Sequence, residues 1–119
     1  FSENKFIERI KSGVKIHTIR EDKTNRWKPG MKIHFWKNNP RNINKNPYQF
    51  GEGEVVVINQ ITLNFKSDYI YHHRLYKWTE SLNEYAVNDG FDSWEEMVNW
   101  FNVDVFEGKL IYWNNFKSI

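Results

Sequence analysis

The sequence predicts an α+β fold in which a curled, mainly antiparallel β-sheet is flanked by helices. Three observations carry the prediction: an opening helical stripe, a run of strand-like segments with no helix between them, and two short helical patterns ahead of a last strand. Consecutive strands joined by turns pair antiparallel, whereas a doubly wound parallel sheet needs a crossover helix between successive strands. The 119 residues are 39% hydrophobic and show no repeat or internal linker, so residues 1 to 119 read as one domain with one core.

The first helix is marked by Phe6, Ile7 and Ile10, which share one face. Ser2 is its expected N-cap, Glu3 suits the first turn, and the helix should run to about Ser12. Gly13 then sits where a helix ends in a left-handed residue. The β-branched residues Val14, Ile16, Thr18 and Ile19 favour extended chain, so a first strand is expected through Arg20. Residues 21 to 30 are polar and close with Pro29-Gly30, a dipeptide suited to a type II turn.

Met31 to Trp36 alternates as a second strand, with Met31, Ile33 and Phe35 on one side and Lys32, His34 and Trp36 on the other. Residues 37 to 49 contain five Asn and two Pro and read as a long exposed loop. Glu54 to Phe65 gives the strongest strand signal, with Val55, Val57, Ile61, Leu63 and Phe65 expected inward and a bend near Asn59. Residues 69 to 78 fit either strand or loop and receive no assignment.

Thr79 or Ser81 can start a helix whose apolar stripe is Leu82, Tyr85 and Ala86 and whose end is Asp89-Gly90. Ser93 and Glu96 stand in capping-box spacing ahead of Met97, Trp100 and Phe101. After Gly108, Leu110 to Trp113 reads as a closing strand that should pair within the main sheet. The expected core is Phe6, Ile10, Ile33, Val57, Ile61, Met97, Phe101 and Ile111, each on the apolar stripe of its element.

Composition narrows the function classes. The formal net charge of +2 permits an anionic partner without demanding one, and an aromatic share of 18% leaves rings that can stack on a base as well as fill a core. No cysteine is present, which excludes disulfides, thiolate metal sites and a thiol nucleophile within these residues. No apolar run approaches a membrane span and no signal-peptide pattern opens the sequence, so no membrane partner and a cytoplasmic location are expected. The first residue is Phe rather than Met, so the sequence reads as trimmed at its start.

The stretch Gly13-Val14-Lys15-Ile16-His17-Thr18-Ile19-Arg20, followed by Glu21 and Asp22, concentrates more chemistry than any other. Together with Trp27-Lys28-Pro29-Gly30, Ala86-Val87-Asn88-Asp89-Gly90-Phe91, Trp94-Glu95-Glu96-Met97, Trp100-Phe101 and Gly108 to Trp113, it resembles the ASCH domain family. The resemblance spans nearly the whole chain. It implies a PUA-like fold, a small β-barrel with flanking helices, and a cleft that serves RNA or modified nucleosides. Some small members of that family are amidohydrolases that deacetylate N4-acetylcytidine with a Lys, a Thr and a Glu. Carried over residue by residue, these roles fall on Lys15, Thr18 and, with Asp in place of Glu, Asp89. A non-catalytic RNA-binding module of the same fold is the alternative.

Each candidate has a chemical reason and a plainer reading. A threonine hydroxyl attacks an amide only when a neighbour takes its proton, and a lysine serves if burial or a nearby cation lowers its pKa. Residues three apart face opposite ways in a strand, so Lys15 and Thr18 can meet only across a turn or bulge; otherwise they are a solvated lysine and a strand threonine. Arg20 shares parity with Thr18, and its fork suits a carbonyl, carboxylate or phosphate, or a salt bridge. His17 falls on the other face and reads first as a packed histidine. Asp89 suits acid or base work or an ordinary helix-ending turn, with Glu84 as the carboxylate that a shifted register would bring in.

Trp27 and Trp36, next to basic residues, are the stacking candidates, and Lys37, Arg41 and Lys45 can meet phosphates or simply be solvated. No cofactor or metal is expected, because His72-His73 lacks the spacing of a helical metal pair and no carboxylate completes a set beside it.

Overall fold

Two strands of unusual length, paired along nearly all of their extent, organise the molecule. A computed structural model describes residue 1 and residues 3–73, 77–79 and 81–119. In chain order the elements are α1 (Asn4–Ser12), β1 (His17–Arg20), β2 (Lys32–Lys37), β3 (Tyr48–Asn64), β4 (Tyr69–His72), β5 (Lys77–Thr79), α2 (Leu82–Asn88), α3 (Trp94–Phe101) and β6 (Val105–Ser118), with a short 3-10 turn at Ile43–Lys45. The strands form one sheet in the order β1-β6-β3-β4-β5, with β2 also on β3, and every pairing is antiparallel. This is the α+β, curled antiparallel architecture that the sequence predicts, and β6 closes within the main sheet.

The β3–β6 ribbon curls because it buries opposite faces at its two ends. Near the termini of the chain Val55 lies against Trp113 and Ile58 against Ile111, in a cluster with Ile7, Ile10, Ile33, Phe35 and Phe50. At the other end Ile61, Leu63 and Leu110 join Phe6, Phe65, Ala86, Phe91 and Met97. Leu110 and Ile111 are sequence neighbours on opposite faces of a strand, and both are fully buried. Helix α1 spans the junction, giving Phe6 to one cluster and Ile7 and Ile10 to the other.

Several boundaries differ from the sequence reading. The register shifts between Val55 and Val57, so Val56 is an extra, bulged residue and the inward position passes from Val57 to Ile58. Val57, expected in the core, is 38% exposed. Phe101 is only partly buried, whereas the other expected core residues are buried. β3 begins at Tyr48, ahead of the expected start at Glu54, and β6 extends on both sides of the expected segment. Gly51 makes this possible: a Cβ there would fall 2.3 Å from the Phe116 ring, so only glycine lets β6 cross so closely. Residues 69–72 and 77–79 are strands, while the intervening 74–76 lie outside the described residues.

The helix ends follow local chemistry. The N-cap of α1 is Glu3, and Ser2, the expected cap, lies outside the described residues. Ser93 caps α3 by accepting from the Glu96 amide at 3.2 Å, half of the expected capping box. The Glu96 carboxylate accepts from the Asp92 amide at 3.1 Å instead of closing the box on Ser93. Among the described residues no helix is long and apolar enough to cross a membrane.

Candidate functional site

The site is built where the ends of α1 and α2 meet the start of β1. Gly13 takes a left-handed φ of 83° and ends α1, after which the Lys15 amide returns to the Arg9 carbonyl at 2.9 Å. The next amide, Ile16, donates to Asn88 at the end of α2 at 2.9 Å. Residues 14 to 16 are therefore anchored by two helix ends, with the Ile16 carbonyl also accepting from the Trp113 amide of β6 at 3.4 Å, and the ladder of β1 begins only at His17. That resolves the spacing problem. Because Lys15 precedes the strand, the opposite-face rule does not govern it, and Lys15 and Thr18 line the same cavity.

Helix α2 brings the Asp89 carboxylate to the cavity through a tight ending. The Phe91 amide bonds to the Ala86 carbonyl at 2.8 Å and the Gly90 amide to Val87 at 3.0 Å, the paired bonds of a Schellman motif with Gly90 at a φ of 98°. Phe91 and Ala86 pack together in the core behind it. The motif directs Asp89 inward, where the residue is only 4% exposed.

Lys15, Thr18, Arg20, Asp89, Phe91 and Trp100 line a cavity of about 250 Å³. The Lys15 ammonium nitrogen donates to the His17 carbonyl at 2.8 Å and to the Asp89 carbonyl, and lies 3.5 Å from Asp89 Oδ1. Asp89 thus reaches the lysine despite being one methylene shorter than a glutamate. The amine also sits over the rings of Phe6 and Phe1, at 5.4 and 5.7 Å from their centroids. Among the described residues no hydrogen bond joins Lys15 to the Thr18 hydroxyl. Burial lowers the Lys15 pKa from its ordinary value, and the Arg20 charge lowers it further, while Asp89 opposes both.

His17 stands on the opposite face of β1, as parity requires, yet it belongs to the same cluster. Its Nδ1 donates to Asp89 Oδ1 at 3.0 Å, and the ring is fully buried. Behind it the Tyr85 hydroxyl bonds to His72, and burial followed by the contact with Tyr85 pushes the Tyr112 phenol up to about 12. Arg20 is exposed at the cavity mouth, with its guanidinium 5.2 Å from the centre of the Phe1 ring. Glu84 is exposed and does not line the cavity; Asp89 holds that place.

The two stacking candidates lie elsewhere. Trp27 and Trp36 line a wider groove of about 820 Å³, which shares Thr18 and Arg20 with the cavity and also holds Lys23 and Arg26. An aromatic residue in the cavity wall that sequence reasoning placed only on the apolar stripe of α3 is Trp100, which is 54% exposed and propped edge-on by Phe6 at 5.2 Å and Phe91 at 5.9 Å. Glu3 also reaches the wall. The signal for Trp100 is weak: it sits three residues after Met97, on the margin of the α3 stripe. Lys37 donates to Asn4 at 3.1 Å, while Arg41 and Lys45 are exposed. No family model, curated protein or solved structure matches the chain.

Proposed function

We propose that the cavity binds a nucleobase or related amide and hydrolyses the amide of an N-acylated cytosine, in the manner that the resemblance to the small ASCH-type amidohydrolases implies. The observation that carries this reading is the convergence of Lys15, Thr18 and Asp89 on one cavity, although Lys15 and Asp89 are 74 residues apart. The curled antiparallel sheet with flanking helices is also the architecture expected of a PUA-like domain. A cytoplasmic location goes with this reading.

In the proposed reaction the Thr18 hydroxyl attacks the acyl carbonyl while the neutral form of Lys15, which burial favours, takes the hydroxyl proton. Two backbone carbonyls accept the two N–H groups of a neutral amine, which leaves its lone pair as the base. Arg20 at the mouth supports the negative charge that develops on the carbonyl oxygen. Collapse breaks the C–N bond as the proton held by Lys15 passes through Asp89 to the leaving exocyclic amine, which leaves Lys15 neutral again and an acyl-Thr18 ester. Water then attacks the ester, Lys15 takes one of its protons and passes it to the departing Thr18 oxygen, and the carboxylic acid is released.

Incubation with N4-acetylcytidine should release acetate. Lys15→Ala and Thr18→Ala should each lose most of that activity and the double variant little more, because base and nucleophile act as a unit. No acetate at high protein concentration would refute the hydrolase reading. The second reading, RNA binding without catalysis, is favoured by the groove, where Arg26 lies 5.2 Å over Trp27. On that reading Lys23→Gln and Arg26→Gln should weaken binding to single-stranded RNA and reduce its salt dependence by about one unit for each phosphate no longer neutralised.

A further inference from the structure

We infer that His17 is a positioning residue for the Asp89 carboxylate, gripping one oxygen so that the other is left for the cavity. The inference rests on the proposed use of the cavity for its functional meaning, but its geometry stands independently. His17 Nδ1 lies 3.0 Å from Asp89 Oδ1. Lys15 approaches that same oxygen, at 3.5 Å. Both contacts fall on Oδ1, so Oδ2 has no hydrogen-bond partner among the described residues, and it is not among the sealed atoms that lack one.

The rest of the imidazole makes the choice of residue informative. His17 is fully buried, and its Nε2 is sealed from solvent with no hydrogen-bond partner among the described residues. A buried polar atom left without a partner is costly, and an aliphatic side chain would fill the same space without that cost. Among the described residues the hydrogen bond to Asp89 is the polar contact that justifies an imidazole here. The rings of Tyr112 and Tyr85 pack at 5.0 and 5.9 Å from the imidazole and fix its orientation. Because a carboxylate oxygen accepts, the hydrogen in this contact belongs on Nδ1.

The arrangement also suits the shorter acid. Asp89 is held through the Schellman ending of α2 on its backbone side and by His17 on its carboxylate side. A side chain with one more methylene that kept the Oδ1 contacts would have to shift His17 or the Lys15 amine, since all three residues are nearly or fully buried. His17 and Asp89 thus form a matched pair.

The test uses the intact protein in two arms. In the first, 15N spectra of labelled histidine should place the His17 hydrogen on Nδ1, and Asp89→Ala should shift the His17 ring signals. A hydrogen on Nε2, or signals indifferent to Asp89→Ala, would overturn the inference whatever the activity. In the second, acetate release from N4-acetylcytidine is compared among His17→Leu, His17→Asn, Asp89→Asn and the His17→Leu/Asp89→Asn pair. His17→Leu should lower kcat by about 10- to 100-fold, the loss typical when a supporting hydrogen bond to a functional group is removed, with KM little changed.

His17→Asn, which keeps a donor near the Nδ1 position, should recover most of the rate, and it also serves if His17→Leu fails to fold. In the Asp89→Asn background His17→Leu should add nothing, because it acts through Asp89. Additive losses would mark a general packing role and overturn the inference. If the wild type releases no acetate, the hydrolase reading fails, and the 15N arm alone then decides whether His17 holds Asp89.

Discussion

Gly90 and Lys15 fit together by the absence of a side chain: a Cβ on Gly90 would fall 2.8 Å from Lys15 Cδ and the same distance from the Phe6 ring. The glycine also holds a φ of 98°, which costs an L-residue on the order of 1–3 kcal/mol. Gly90→Ala should therefore destabilise the protein by at least that much in urea melts and push the lysine stem out of its slot. Because the stem carries the amine, activity should fall further than stability. An alanine variant with normal stability would show that the end of α2 yields easily and that Lys15 has room to spare.

The pH dependence should report the charge at the cavity mouth. In the proposed reaction Lys15 must be neutral to take the Thr18 proton, so kcat/KM should rise with pH through its lowered pKa. Arg20 contributes to that lowering. Removing its charge in Arg20→Gln should move the rising limb to higher pH, whatever it does to the plateau. A limb that stays in place would mean that Arg20 does not act on Lys15.

Tyr112 gives a stability test with the opposite sign. Its phenol is raised from an ordinary value of 10.0 to about 12, because burial disfavours the phenolate. The folded state therefore holds this proton more tightly than the unfolded chain. The contribution is fully present below pH 10 and is lost as pH rises through about 12. Comparison of wild type with Tyr112→Phe across that window should show the steeper alkaline loss in the wild type; parallel curves would refute the assignment.

Met97 and Val57 should separate core from bulge. Met97 is fully buried, so Met97→Ala should cost about 2–5 kcal/mol. Val57 is 38% exposed, and Val57→Ala should change stability by no more than roughly 0.5 kcal/mol. Large losses at both positions would place the bulge elsewhere in β3.

The sequence showed the class of fold because the strand signals are consecutive and the Ser93 cap marks α3 unambiguously. It understated β3 and β6, since Gly51, Gly53, Asn114 and Asn115 have the composition of turns; Asn115 takes a φ of 53° beside a register shift within the ladder. Only the close passage of Phe116 over Gly51 explains why those residues are strand, and that contact joins positions far apart in sequence. Val57 was misplaced for a related reason, because period-two counting runs straight through a bulge it cannot detect.

Within the candidate site, Lys15, Thr18 and Asp89 were singled out through their motifs, while His17 was read first as a packed histidine and Trp100 only as part of the α3 stripe. What distinguishes His17 is a carboxylate that arrives from another element. What distinguishes Trp100 is a cavity whose opposite wall is β1. Trp27 and Trp36 carried the local signature of stacking residues, but the turn before β2 and the outer face of β2 turn them toward the groove.

The register of β1 on β6 sets Thr18 opposite Ile111 and Ile19 opposite Leu110, at the point where the long ribbon changes its buried face. Everywhere else along a sheet a slipped strand can trade a core side chain for a solvated one. Here both faces are occupied, so there is no neutral frame into which β1 can slide. A slip of one residue would put isoleucine where the hydroxyl belongs and thrust a threonine among Leu110 and its neighbours. The alignment of Thr18 at the cavity is thereby made a condition of folding, and a chain that has folded has already placed its hydroxyl.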